Sequence, residues 1–194
     1  FEKMWYSRAY SAYSTFLLGS ESVDEAATSV TDGFDDYGID AIFNDKNKKI
    51  LYFIQTKFSN EATGSISEGD THKFIRGIKK IINLDFSNFN ELVIKKQSEI
   101  ENALSDFDYR LEIIICVSSN QDIPSHSLEI INDFLRDTNS DGSDEMITHR
   151  VIKLNDVYDH MAHQGMNPKI DLEEVVIHNW GKPTLHNDTY KVYY

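Results

Sequence analysis

Apolar residues recur every three to four positions at Trp5, Ala9, Ala12, Tyr13, Phe16 and Leu17 and stop at Gly19, which predicts an opening amphipathic helix. Ser22 followed by Glu25 three residues on is a capping-box pattern, so a second short helix is expected to run from there to Asp32-Gly33. From Gly38 the period falls to two. The runs Ile39–Phe43 and Ile50–Phe58 flank the polar stretch Asn44–Lys49, which predicts an antiparallel hairpin. Helical spacing returns from Thr71 to Leu84 and again through Phe89, Leu92, Val93, Ile100 and Leu104. A strand is then expected at Leu111–Val117, a helix at Ser127–Arg136, a strand at Ile147–Leu154, and a short helix from a cap at Asn155 through Met161. This order predicts an α/β architecture: one mixed sheet containing the hairpin, flanked by helices, in a single domain over residues 1–194.

Composition narrows the classes. The chain is 40% hydrophobic and 26% charged, ordinary for a packed domain and far from a disordered one. No apolar run is long enough to cross a bilayer, so no membrane association is expected. The single Cys116 sits in the apolar run Ile113–Val117 and reads as an inert core thiol in a reducing compartment. The net charge of −13 argues against a protein that coats nucleic acid with its whole surface. Residues 41–100, however, hold ten Lys/Arg against seven Asp/Glu, so a polyanion would have to be met there. A chain that starts at Phe1 and stops at Tyr194, after an alternating run from Tyr190, reads as part of a longer protein.

The candidate chemistry lies in the hairpin. Strand alternation puts Leu51, Phe53, Gln55 and Lys57 on one face of the second strand, so two polar side chains interrupt an apolar row. If Lys46–Lys49 form the loop, Asp45 pairs with Ile50 and the same register sets Asp40 opposite Gln55, with Cβ atoms about 4.5–5.5 Å apart. A carboxylate, an amide oxygen and an ammonium would then converge in a buried segment. Unpaired polar groups there cost several kcal/mol. A hard cation such as Mg²⁺ would supply the partner.

These residues resemble a known group. Gly38-Ile39-Asp40-Ala41 followed by Gln55-Thr56-Lys57 is similar to the PD-(D/E)XK restriction-endonuclease-like superfamily, in its Gln-x-Lys branch. The fuller string Thr31-Asp32-Gly33, Asp36, Gly38-Ile39-Asp40-Ala41-Ile42 and Ile54-Gln55-Thr56-Lys57-Phe58 resembles the N-terminal region of AIPR abortive-infection proteins, over residues 15–120. The resemblance implies a divalent-metal-dependent endonuclease, with Mg²⁺ as the ion and Mn²⁺ able to substitute. It would be cytoplasmic, act on nucleic acid with DNA favoured over RNA, and serve in anti-phage defence. It further implies that Asp40 and Gln55 bind the metal and that Lys57 orients or deprotonates the attacking water. A glutamate from a preceding helix completes the set, Glu25 as the best match and Glu21 as the alternative. A homodimer and a further C-terminal domain are also implied. Gln55 departs from the Glu or Asp of most of the superfamily, which weakens the charge on the metal.

Blander readings stand beside these. Asp35 and Asp36 read as loop residues, with Asp36 also able to orient Asp40 or touch a second metal. Lys73, Arg76, Lys79 and Lys80 lie opposite the apolar stripe of their helix and could track phosphates or form a solvated face. His72 reads as a surface residue, and His160 and His163 near Asp156 and Asp159 lie far along the chain from the hairpin. The alternative to an enzyme is a catalytically degenerate nuclease fold that grips nucleic acid or a partner protein. An acidic interaction scaffold is the third and weakest reading.

Overall fold

The computed structural model describes residues 2–139 and 145–162. His163, the run at Tyr190–Tyr194 and the full extent of the expected 1–194 domain lie outside them. The elements follow in the order α1 (Glu2–Leu18), α2 (Val23–Ser29), β1 (Ala41–Asp45), β2 (Ile50–Lys57), α3 (Glu68–Ile82), α4 (Glu91–Ile94), α5 (Gln97–Ser105), β3 (Arg110–Val117), α6 (Ser125–Thr138), β4 (Ile147–Ile152) and α7 (Leu154–Met161). The fold is α/β, with a four-stranded mixed sheet in the order β1-β2-β3-β4 flanked by helices. β1 and β2 are antiparallel and joined by a tight turn, whereas β2, β3 and β4 run parallel through helical crossovers.

The hairpin closes in the expected register, with Asp45 paired to Ile50 and Ala41 to Ile54. Asp45 sets the turn: its carboxylate accepts from the amides of Asn47 and Lys48 and pairs with the Lys48 ammonium at 2.8 Å. β2 and β3 are covered on both faces, which is why they read as nearly unbroken apolar runs. On one face Leu51, Phe53, Ile113 and Ile115 join Phe74, Ile78 and Ile81 of α3, Ile100 of α5, and Ile131 and Phe134 of α6. On the other, Tyr52, Ile54, Ile114 and Cys116 meet Tyr10 and Leu18 of α1 and Val157 of α7. Cys116 is a free, buried thiol beside the Tyr10 hydroxyl at 3.2 Å.

Helix α1 buries a different face from the one its apolar spacing predicts. Tyr10, Ser11, Ser14, Thr15 and Leu18 face the sheet, while Trp5 is 74% exposed. The hydroxyls of Ser11, Ser14 and Thr15 bond to the carbonyls of Ser7, Tyr10 and Ser11 one turn back, so their burial leaves no donor stranded. Small side chains then let the helix lie close to β2, where the Ser11 and Thr56 hydroxyls are 2.8 Å apart.

Smaller departures have local causes. α2 ends at Ser29 because Val30 bridges to Ala41. α3 begins at Glu68, one turn before Thr71, because the Ser67 hydroxyl caps it through the amide of Asp70. The helical stretch after Phe89 divides into α4 and α5. β4 stops at Ile152, and the N-cap of α7 falls at Lys153, whose amide donates to Asp156, instead of at Asn155. Among the described residues no helix is long and apolar enough to cross a membrane.

Gly77 on α3 sets how closely that helix approaches the segment before β1. A Cβ there would lie 2.6 Å from Cβ of Tyr37 and 3.1 Å from Cδ1 of Ile39. Gly77→Ala should therefore destabilise the fold by about 1–3 kcal/mol through overpacking, although the helical propensity gain alone is about 1 kcal/mol in the opposite direction. Urea denaturation measures the sign, and a stabilised variant would mean that α3 is free to move away.

Candidate metal centre

Between the Val30 bridge and β1 the chain makes a closed loop, residues 31–40. The amides of Thr31 and Asp32 both donate to the Asp40 carbonyl, at 2.8 and 3.0 Å, and the Thr31 hydroxyl donates to the Ile39 carbonyl at 2.6 Å. At the tip, the Asp36 carboxylate accepts from the amides of Gly38 at 2.6 Å and Gly33 at 3.0 Å. Asn90, which caps α4, ties the loop down from outside by donating to the carbonyls of Asp35 and Thr31. Gly38 has φ +77°, and a Cβ on it would lie 2.9 Å from the Gln55 side-chain nitrogen, so both the turn and the contact require glycine.

This folding brings three carboxylates together. One oxygen each from Asp32, Asp36 and Asp40 lies within 4.8 Å of the others. Asp36 and Asp40 are buried and Asp32 is half-buried. The Asp40 carboxylate accepts from the Thr56 amide at 2.6 Å and from the Thr56 hydroxyl at 3.1 Å. The Asp40 carboxyl is raised to about 7, chiefly by burial; the Thr56 amide and hydroxyl oppose the rise, and the charges of Asp32 and Asp36 add to it. Asp32 is also raised, first by burial and then by Asp36, with Arg8, the Ser7 hydroxyl and Lys57 opposing. The Lys73 ammonium, 3.1 Å from Asp36, compensates one of the three acids.

Gln55 and Lys57 flank this cluster on β2. The register places Asp40 at the position that continues the pairing of Ala41 with Ile54, beside Gln55, while its carboxylate turns to Thr56. Gln55 is 2% exposed, and its carbonyl oxygen Oε1 is buried without a hydrogen-bond partner. Such an orphan costs about 1–3 kcal/mol. The Lys57 ammonium pairs with Asp70 at the start of α3, 2.9 Å away. Against the upward push of partial burial, Lys57 and Ser67 hold Asp70 below the usual carboxylate range.

Three crowded carboxylates and an orphaned amide oxygen on the adjacent strand form an oxygen-rich donor set of the kind that suits a hard divalent cation. The residues present therefore fit such an ion, with Asp32, Asp36 and Asp40 as ligands and the Gln55 oxygen as the neighbouring acceptor.

Other expected residues lie elsewhere. The Glu25 carboxylate accepts from the Glu21 amide at 2.7 Å while the Ser22 hydroxyl accepts from the Glu25 amide, so Glu25 completes a helix cap. Glu21 receives the Asn47 side-chain amide at 3.1 Å. Both line a cavity with Asn44, Asp45, Lys46 and Asn47 at the turn end of the hairpin, about 17 Å of strand from Asp40, so neither completes this centre. The third carboxylate of the cluster is that of Asp32. In the sequence Asp32 stands at the expected end of α2, where it reads as a helix terminus, in a Thr-Asp-Gly string followed by Asp35 and Asp36.

The basic face of α3 is largely engaged within the protein. Lys73 holds Asp36; Arg76 and Lys80 lie over the Tyr37 ring at 5.9 and 5.8 Å; Lys79 lies over Phe134 at 5.4 Å; and Lys80 also pairs with Asp85. Asp35 is an exposed loop residue with φ 60°. His72 faces Glu68, and His160 shares a hydrogen bond with the Tyr13 hydroxyl at 3.1 Å.

The raised Asp40 pKa carries a sign. The folded state holds a proton that the unfolded chain releases near pH 4, so stability falls as pH rises from about 4 through 7. Asp40→Asn should flatten that slope and raise the melting temperature of the metal-free protein at pH 8, on the order of 5 °C or more. It should also abolish stabilisation by added Mn²⁺, which in the wild type should be larger at pH 8 than at pH 5. Thermal melts at both pH values check this, and an unchanged slope in the variant would remove Asp40 as the cause.

Comparison of the chain with family models, with curated proteins and with solved structures found no match, so the reading of this centre rests on its residues and their geometry.

Proposed function

We propose that this protein is a divalent-metal-dependent nuclease of the PD-(D/E)XK restriction-endonuclease-like type that hydrolyses phosphodiester bonds, with DNA favoured and, following the resemblance, a role in antiviral defence. One observation carries the reading: the carboxylates of Asp32, Asp36 and Asp40 meet within 4.8 Å beside a buried strand that bears an unpartnered Gln55 oxygen and, two residues on, the Lys57 ammonium. The family reading is further supported by the element order, in which an antiparallel hairpin carrying Asp40 and Gln55-Thr56-Lys57 is followed by parallel strands.

Mg²⁺, or Mn²⁺ in its place, would be held by Asp32, Asp36 and Asp40 with the Gln55 oxygen. When bound, the ion neutralises charge on the phosphate and lowers the pKa of a water. The chain supplies the rest. Thr56 holds one oxygen of Asp40 through its amide and hydroxyl, leaving the other free to act as a ligand. The Gly38 amide and the Lys73 ammonium hold one oxygen of Asp36 and the Gly33 amide the other, which fixes that carboxylate from both sides. Lys57, partly exposed on a flexible stem, would carry its positive charge from Asp70 to the phosphate, where negative charge builds in the transition state.

A second reading is favoured by Lys57 itself, whose ammonium is already paired with Asp70 next to a neutral Gln55. In it the same centre grips a phosphate or a partner and does not turn over.

The test is cleavage of supercoiled plasmid and of single-stranded RNA with Mg²⁺ or Mn²⁺, for wild type, Lys57→Ala and Asp40→Asn at equal folded concentration. A nuclease should lose about 10²-fold or more in rate with either substitution. Silence from the folded wild type, with no heat on Mn²⁺ titration, would overturn the nuclease reading. Silence with metal heat retained would leave the binding module.

A further inference from the structure

Next to the acidic cluster the surface opens into a cavity of about 360 Å³ lined by Tyr6, Ser7, Phe58, Ser59, Asn60 and Glu61. The two sites are contiguous. Arg8, next in the chain to the Ser7 that lines the cavity, donates to the Asp32 carbonyl at 2.9 Å, and Phe58 follows Lys57 directly at the end of β2.

One wall is aromatic. The Tyr6 and Phe58 rings stack with centroids 5.8 Å apart and planes 26° apart, and Tyr10 braces Phe58 at 5.5 Å. Although packed on each other, Tyr6 and Phe58 remain 48% and 41% exposed. The rest of the lining is polar. The Ser59 hydroxyl is held by Thr63 and by the Glu61 amide, whereas the side chains of Asn60 and Glu61 have no partner among the described residues. A flat apolar surface beside free hydrogen-bonding groups matches the two surfaces of a nucleobase, its π-face and its polar edge. The volume is within the range of small-ligand pockets.

The electrostatics point the same way. Duplex binding draws its affinity from many phosphate contacts. Here Lys73 is held by Asp36 and Arg8 by the Asp32 carbonyl at 2.9 Å, which leaves Lys57 as the cation beside the centre that could turn to a phosphate, in a chain of net charge −13. Stacking supplies affinity without that charge, and it requires a base outside a double helix. We propose that this cavity receives an unpaired nucleobase, so that single-stranded nucleic acid is the substrate class of the neighbouring centre. The substrate half of this statement rests on the nuclease reading; the binding half does not.

Fluorescence anisotropy in EDTA at low salt, where no cleavage can occur, separates the two. The probes are a short labelled DNA strand, the RNA strand of the same sequence, and the blunt DNA duplex. Both single strands should bind more tightly than the duplex, by about tenfold or more, and the tighter of the two identifies the sugar. Phe58→Leu, which keeps apolar packing against Tyr10 but removes the ring, should weaken single-strand binding by about five- to hundredfold. Phe58→Trp should restore it, and the exposed Asn60→Ala should weaken it without changing the melting temperature. Duplex binding as tight as single-strand binding, no binding by either, or unchanged affinity in Phe58→Leu and Asn60→Ala would overturn the proposal. Binding with these properties and no cleavage under Mn²⁺ removes the nuclease reading and leaves the base site; cleavage indifferent to both variants does the reverse.

Discussion

Where β1 gives out at Ala41, the Thr56 amide on β2 is met by a side chain instead of the next strand carbonyl, and the Asp40 carboxylate takes it at 2.6 Å. Much of the centre follows from that substitution. The carboxylate is pulled to the end of the sheet and buried, its backbone carbonyl is left to accept the amides of Thr31 and Asp32, and the loop between them is closed on itself. Closure carries Asp36 and Asp32 to the same place, and Gly38 lets the turn pass against Gln55 without a clash.

The arrangement costs stability in two ways that a purely structural loop would avoid. Like charges are crowded where burial already disfavours them, and a buried amide oxygen goes without a donor. The surroundings offset this with directed dipoles. Backbone amides of Thr56, Gly33 and Gly38 aim at the carboxylates, and one lysine neutralises one acid. Strain of this kind concentrates where a fold keeps a site ready for a ligand. The neighbouring aromatic wall on Tyr6 and Phe58 has the same character, being large apolar area left accessible beside a polar centre.

How much of this the sequence disclosed depends on which signal each residue carries. The hairpin register was legible because alternation and a four-residue turn leave one way to pair Asp45 with Ile50, and Asp40 and Gln55 follow from it. The buried face of α1 was not, because Ser11, Ser14 and Thr15 count as polar while their hydroxyls are satisfied by the helix itself. Glu25 looked like a ligand and a cap at once, and its distance from Asp40 is a tertiary fact that spacing does not encode. Asp32 reads as a helix end in the sequence, because the stop of α2 at Ser29 is set by the bridge from Val30 to Ala41, a contact that helical spacing does not encode. The cavity beside Phe58 joins α1 to the end of β2, and no local pattern announces such a meeting.

The serine face of α1 has one more consequence. Ser11, Thr56 and Asp40 form an unbroken line of hydrogen bonds, 2.8 Å from hydroxyl to hydroxyl and 3.1 Å on to the carboxylate. A helix seated on leucines can slide by a fraction of an ångström at little expense; one seated on a directional hydrogen bond cannot. Helix α1 and the Asp40 carboxylate are thus coupled through Thr56, and a shift of α1 that broke the Ser11–Thr56 contact would leave the Thr56 hydroxyl with Asp40 as its one remaining partner among the described residues.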